Sequence, residues 1–221
     1  MVALTVARHG QASFGAADYD VLSEKGHAQA YALGQALRGQ GLRPERFVTG
    51  TLRRQKETMA GLLEGLGLSA QVEEHPGLDE YDFAGLLSAR FRDGGAPDGM
   101  MQDAKTHFRT LRAVVGEWQQ DAVADPPETW AAFTARVEAA RAHMAREGAQ
   151  SVLAVSSGGA IGQLAAAALG APGAAQLALQ LQMKNCAVTR LLVTPRQTWL
   201  TGFNETPHID AATEAAFLSY S

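Results

Sequence analysis

Short, mostly apolar runs alternate with helical patterns along this chain, and that alternation constrains its fold more than any other feature. Residues 2–7 (VALTVA), 47–50 (FVTG), 70–74 (AQVEE), 151–156 (SVLAVS), 187–193 (AVTRLLV) and 198–203 (TWLTGF) read as strands. Ser23 is placed to cap a helix reaching about Arg38, with Leu33 and Leu37 one turn apart and Gly39 and Gly41 available as stops. Met59, Leu62, Leu63 and Leu66 recur at helical spacing, as do Trp130, Phe133 and Val137 in a helix expected to end near Gly148. The pattern predicts a three-layer α/β/α sandwich whose mostly parallel sheet is covered by helices on both faces. Only the turn TPRQ separates the last two strands, so that pair should be antiparallel and lie at an edge of the sheet.

At 221 residues and 46% hydrophobic, the chain can bury one sizeable core, and we expect a single domain spanning residues 1–221. Residues 88–125 break the alternation, opening with the glycine-rich DGGAPDG and continuing as a helical stretch around His107 to Trp118. They read as an insertion over the end of the sheet where open α/β folds keep their ligands. One cysteine, Cys186, excludes an internal disulfide framework and suits a reducing compartment. The apolar start MVALTVA is too short for a signal h-region, and no run approaches the ~20 apolar residues of a membrane span. A net charge of −4 without long like-charge blocks gives no support to a nucleic-acid or membrane surface. We therefore expect a cytoplasmic protein with a small-molecule partner; no feature specifies an oligomeric state.

Chemistry-bearing residues collect where strands end. Arg8, His9 and Gly10 follow the first strand, and ligands of such sheets bind beyond the strands' carboxyl ends. Taken alone, a histidine there is more often a hydrogen-bonded structural residue. Arg53 and Arg54 follow the second strand at the start of a helix, whose N–H groups favour anions. Asp79, Glu80 and Asp82 follow the third. The fourth ends in SSGG, where Ser157, Gly158 and Gly159 open a helix and form a second place for backbone N–H groups to grip phosphate.

Together these segments resemble the histidine phosphatase superfamily, which includes the cofactor-dependent phosphoglycerate mutases. The resemblance runs through VARHGQAS, LSEKGHAQAYALGQAL, TLRRQKET, LDEYDFAG, PPETWAAFTARV, VLAVSSGGAIGQLAAAALGAP, MKNCAVTRLLV and FNETPH, leaving out roughly residues 88–125. It implies a phosphoglycerate mutase-like fold, His9 as the phosphorylated nucleophile, Arg8 and Arg54 as the phosphate clamp, and Glu80 as the proton donor. Asp79 and Asp82 stay open as alternative donors. Family members usually carry a second catalytic histidine directly before the glycine after the fourth strand, and Ser157 stands there in this chain.

The residue types suit that chemistry. A neutral imidazole can attack phosphorus and divide one hard displacement into two easier ones. Two guanidinium groups offer bidentate donors to the phosphoryl oxygens, so neither metal nor cofactor is required. A carboxylic acid can protonate the leaving group if burial or a neighbouring carboxylate raises its pKa. The expected activity is hydrolysis of a phosphomonoester on a small molecule or phosphoprotein. The alternatives are a mutase-like phosphotransferase, or a weak pseudophosphatase that binds a phosphorylated ligand. A mutase needs a second anion cluster, for which Arg90, Arg92, Lys105, Arg109 and Arg112 of the insertion are candidates. Serine-hydrolase chemistry lacks its G-x-S-x-G elbow, and neither G-x-G-x-x-G nor a Walker sequence occurs. His27, His75, His107, His143 and His208 show no metal-ligand spacing. His208, in FNETPH, leads if a further histidine reaches the phosphate.

Overall fold

A computed structural model describes residues 1–13, 20–98 and 103–220, without the side chains of residues 104, 105, 107 and 108. The six strands are β1 (Val2–Arg8), β2 (Arg46–Thr49), β3 (Val72–Glu74), β4 (Ser151–Ser156), β5 (Val188–Val193) and β6 (Thr198–Glu205). The helices are α1 (Glu24–Gly39), α2 (Arg53–Leu66), α3 (Phe83–Arg90), α4 (Ala104–Trp118), α5 (Trp130–Met144), α6 (Gly158–Ala168), α7 (Gly173–Leu181) and α8 (Glu214–Phe217). A 3-10 turn, Pro76–Leu78, links β3 to the acidic segment before α3.

The strands form one sheet in the order β3-β2-β4-β1-β5-β6. β1 to β4 are parallel, and β5 pairs antiparallel with both β1 and β6. The expected antiparallel pair does lie at the edge, and within it β5 is the strand reversed against the parallel four. Residues of β4 alternate between two cores, as a strand buried on both faces must. Val152 and Ala154 join Leu4, Val6, Phe133, Val137, Ile161 and Leu164, while Leu153 and Val155 join Leu33, Leu37, Met59, Leu62 and Leu66. Helices α1 and α2 thus cover one face, and α5 and α6 the other.

Local signals set most element ends. Ser23 caps α1 by accepting from the Gly26 amide at 3.1 Å, while Thr129 caps α5 and Asp103 caps α4. Helix α5 stops at Met144, four residues short of Gly148, because the chain turns there and Gly148 itself takes a left-handed φ of 95°. Helix α7 was not legible as a separate element; Pro172 breaks the alanine-rich stretch and opens it.

The described part of residues 88–125 contributes to the larger core. Leu111, Val114, Val115 and Trp118 of α4 pack in the same cluster as Phe133 and Leu177, and the Trp118 indole donates to the Glu128 carbonyl at 2.6 Å. Its cations are partly committed: Arg90 pairs with Glu117, and Arg92 reaches Asp125 at 3.0 Å. The Lys105 side chain lies outside the described residues.

Candidate active site

Register brings the strand ends level. Arg8 is opposite Ser156 across the β1–β4 pair, and Thr49 is opposite both Val155 and Glu74. His9, the start of α2, the acidic segment and SSGG therefore emerge on one rim of the sheet.

His9 is buried, at 5% exposure. Its Nδ1 lies 2.8 Å from the Gly10 carbonyl. A carbonyl only accepts, so Nδ1 carries the proton and the Nε2 lone pair is left outward. Arg54 Nε lies 3.3 Å from that Nε2, a contact that a lone pair accepts. Burial first, then the charges of Arg8 and Arg54, hold His9 well below the usual histidine range, against a smaller upward pull from the Gly10 carbonyl. The ring is thus a neutral base with its free nitrogen among cations.

The backbone around it is held tightly. Gly10 N–H donates to Thr58 Oγ1 at 3.0 Å. A β-carbon on Gly10 would stand 2.5 Å from the Gly26 carbonyl oxygen, so only glycine lets the motif lie against α1.

Of the two adjacent arginines, Arg54 turns toward His9, while Arg53 is largely exposed and pairs with Glu57 at 2.8 Å. Asp20 had no signal in the sequence. Its carboxylate accepts from Arg54 Nη1 at 2.7 Å and from the Arg53 amide at 2.8 Å, so it fixes the guanidinium at the helix start. The Arg8 guanidinium donates to the Met183 carbonyl and lies against Gly158.

The three acidic candidates separate cleanly. Asp79 accepts from the Thr51 amide at 2.6 Å and hydroxyl at 2.5 Å, and Asp82 caps α3 through the Gly85 amide at 2.8 Å. Glu80 instead reaches the start of α6, where its Oε2 accepts from the Gly159 amide at 2.9 Å. Burial pushes its carboxyl above the usual glutamate range, opposed by amide hydrogen bonds and by Arg54 and Arg8. Both arginines therefore act on Glu80 as well as on His9. The Gly159 amide, expected to face a phosphate, is already taken by Glu80.

SSGG packs closely as well. Ser157 is fully buried, and its Oγ accepts from Gln55 Nε2 at 2.9 Å; the same amide donates to the Leu78 carbonyl at 2.9 Å. Ser156 also donates to Leu78, at 2.6 Å. Gln55 lies one turn before Met59 on the apolar face of α2, and a polar side chain on an apolar stripe was the sequence signal that could have singled it out. Behind Glu80, Tyr81 donates to Gln180 Oε1 at 3.1 Å. Gln176 donates to both Gln180 and the Gly159 carbonyl, and Gln119 donates to Gln176 at 2.9 Å, tying the end of α4 to the helix start. His208 packs near Phe217, with ring centroids 6.1 Å apart. Both its nitrogens are without a hydrogen bond among the described residues, and burial pushes it down to about 4. A concavity of about 730 Å3 lies at the opposite end of the sheet, lined by Met1, Glu45, Gln150 and Pro195, and shares none of these groups.

At the strand ends of a parallel-centred α/β sheet the structure thus gathers a neutral histidine, two arginines and a buried glutamate whose pKa is raised, groups of the types that phosphoryl transfer employs. The chain belongs to the histidine phosphatase superfamily (branch 1), whose family model matches residues 4–206. A 2,3-bisphosphoglycerate-dependent phosphoglycerate mutase from Chelativorans sp. is 36% identical over 90 residues, which cover 38% of this chain and 44% of that relative. The chain thus aligns with less than half of the curated relative it matches. A mycobacterial glucosyl-3-phosphoglycerate phosphatase, solved with inorganic phosphate, is 25% identical at a TM-score of 0.65, covering 95% of this chain and 100% of that one. A phosphoglycerate mutase from Bacillus anthracis, 20% identical at a TM-score of 0.66, covers 94% of each chain and shares the fold. Among the described residues no helix is long and apolar enough to cross a membrane.

Proposed function

We propose that this protein hydrolyses a phosphomonoester through a phosphohistidine on His9. The observation that carries this is the His9 ring itself: Nδ1 bound to the Gly10 carbonyl, Nε2 left as a lone pair, and Arg54 Nε 3.3 Å from it. In the first step Nε2 attacks phosphorus, the bond to the ester oxygen breaks, and Glu80 gives that oxygen its proton. Arg8 and Arg54 neutralise charge on the transferring phosphoryl oxygens. In the second step Glu80, now a carboxylate, takes a proton from water as the water oxygen attacks phosphorus and the bond to Nε2 breaks. Inorganic phosphate leaves, and both residues return to their starting states.

Ser157 is proposed to occupy the place where family members usually carry a second histidine, with Gln55 filling the space beside it. One neutral hydroxyl there supports slower turnover than a cationic donor would. The partial match to a bisphosphoglycerate-dependent mutase favours phosphotransferase activity as the second reading. Against it, Arg90 and Arg92 are committed to Glu117 and Asp125, which weakens the case for a second anion site in residues 88–125. The substrate is proposed to be a phosphorylated small molecule, met in the cytoplasm.

The test is to quench turnover of an aryl phosphate in alkali and locate the phosphoryl group by mass spectrometry. Phosphate on His9, absent in His9→Ala, is expected. Turnover undiminished in His9→Ala would end the proposal, and transfer to added phosphoglycerate in preference to water would favour the mutase.

A further inference from the structure

We propose that residues 217–219, where α8 ends, are a positioning element for the nucleophile, acting through Gln29 and Asn185. The inference rests on His9 being that nucleophile.

Two peptide groups set the His9 ring. The Gly10–Gln11 peptide presents the carbonyl that accepts from His9 Nδ1 at 2.8 Å, and the N–H of the same peptide donates to Gln29 Oε1 at 2.9 Å. Gln29 thereby fixes the plane of the group that selects the tautomer. The His9–Gly10 peptide is held by its own carbonyl, which accepts from Asn185 Nδ2 and from the Cys186 amide, each at 3.3 Å. Gln29 and Asn185 are both fully buried.

The other ends of these two amides meet on the tail. Gln29 Nε2 donates to the Phe217 carbonyl at 2.5 Å and to Ser219 Oγ at 2.8 Å. Ser219 Oγ donates in turn to Asn185 Oδ1 at 2.9 Å, and the backbone N–H of Asn185 donates to the Ser219 carbonyl at 3.0 Å. Lys25 Nζ adds a bond to the Leu218 carbonyl at 3.0 Å. A buried primary amide can rotate to satisfy its groups elsewhere unless every donor and acceptor is engaged. By engaging Gln29 and Asn185 together, the Ser219 hydroxyl locks both in the orientation that serves His9. A flipped Gln29 would turn its NH2 toward the Gln11 N–H, lose that bond, and free the Gly10 carbonyl to rotate away from Nδ1.

The test compares Ser219→Ala, Ser219→Thr and the full chain, reading kcat and KM on an aryl phosphate, melting temperature, and the His9 tautomer by nitrogen-detected NMR. Ser219→Ala is expected to lower kcat about tenfold with KM nearly unchanged, and to mix the two tautomers of His9. Ser219→Thr, which keeps the hydroxyl, should restore both. An unchanged kcat and an unchanged tautomer in Ser219→Ala would overturn the proposal even if the melting temperature fell, since that is what a merely structural tail gives. Full activity in His9→Ala would instead overturn the nucleophile assignment beneath it, and the tautomer readout needs no turnover at all.

Discussion

Gly159→Ala separates Glu80, the proposed proton donor, from the rest of the site. A β-carbon at Gly159 would stand 2.1 Å from Glu80 Oε1 and 2.6 Å from the Tyr81 ring. Tyr81 is buried and its ring packs on Phe83, Trp118 and Phe133 at centroid distances of 4.3 to 5.5 Å, so its side of the clash is relieved only by a small shift of α6 and the Glu80 carboxyl takes the rest. The Glu80 carboxyl must therefore retreat by more than about 1 Å to reach ordinary contact. A displacement of that size in a reacting group costs on the order of 100-fold, about 2.7 kcal/mol, in the step it assists. Overpacking against Tyr81 costs ~1–3 kcal/mol, offset in part by the ~1 kcal/mol by which alanine is the better helix former, so rates are compared well below the melting temperature of the variant. At Gly158 the nearest atoms to a new β-carbon are 3.5 Å (Gln180) and 3.6 Å (Arg8) away, which is ordinary contact, so Gly158→Ala serves as the matched control. The assay is steady-state hydrolysis of an alkyl phosphate, with inorganic phosphate as competitive inhibitor and circular dichroism as the check on folding. Gly159→Ala should lose about 100-fold in kcat while phosphate inhibits as in the parent, and Gly158→Ala should keep most of its turnover. Turnover of Gly159→Ala within twofold of the parent would refute the reasoning, as would an equal loss of phosphate inhibition.

Glu80→Gln should slow an alkyl phosphate by about 100-fold or more, but p-nitrophenyl phosphate much less, because that leaving group needs no proton; equal losses on both would remove Glu80 as the acid. The pH–rate profile should fall on its alkaline side as Glu80, raised above 4.5, loses its proton, and on its acid side only below 6.5, where His9 is protonated. For stability, His9 binds its proton less readily when folded, so it should cost stability as pH falls below 6.5, and melting temperatures of the parent and His9→Gln should diverge there. Ser157→His alone should destabilise the fold by ~1–3 kcal/mol, since an imidazole meets the Gln55 side chain. Pairing it with Gln55→Ala should recover the melting temperature and raise turnover about tenfold over the parent, as steady-state rates of the three proteins would show.

The α/β character, the strands and the faces they bury were legible because they rest on near neighbours. The period of two in SVLAVS and the helical spacing of Met59, Leu62 and Leu66 reflect backbone geometry that each segment carries with it. Arg8, His9, Arg54, Glu80 and SSGG were legible as strand-end chemistry, and the family resemblance assigned them roles. The stop of α5 at Met144 was not, since it depends on how the chain turns toward β4.

Residue order alone made this an alternating α/β chain with histidine, arginine and acidic residues, the types that phosphate chemistry uses, at its strand ends. Tertiary structure decided which side chains serve that chemistry and in what state. It sent Asp79 to Thr51, Asp82 to a helix cap and only Glu80 to the start of α6. It joined Gln55 to Ser157 across 102 positions, Asn185 to His9 across 176 and Gln29 to Ser219 across 190. Such hydrogen bonds have no local period to betray them. They exist because strand register and helix packing bring distant polar groups together in a buried place, where each must find a partner.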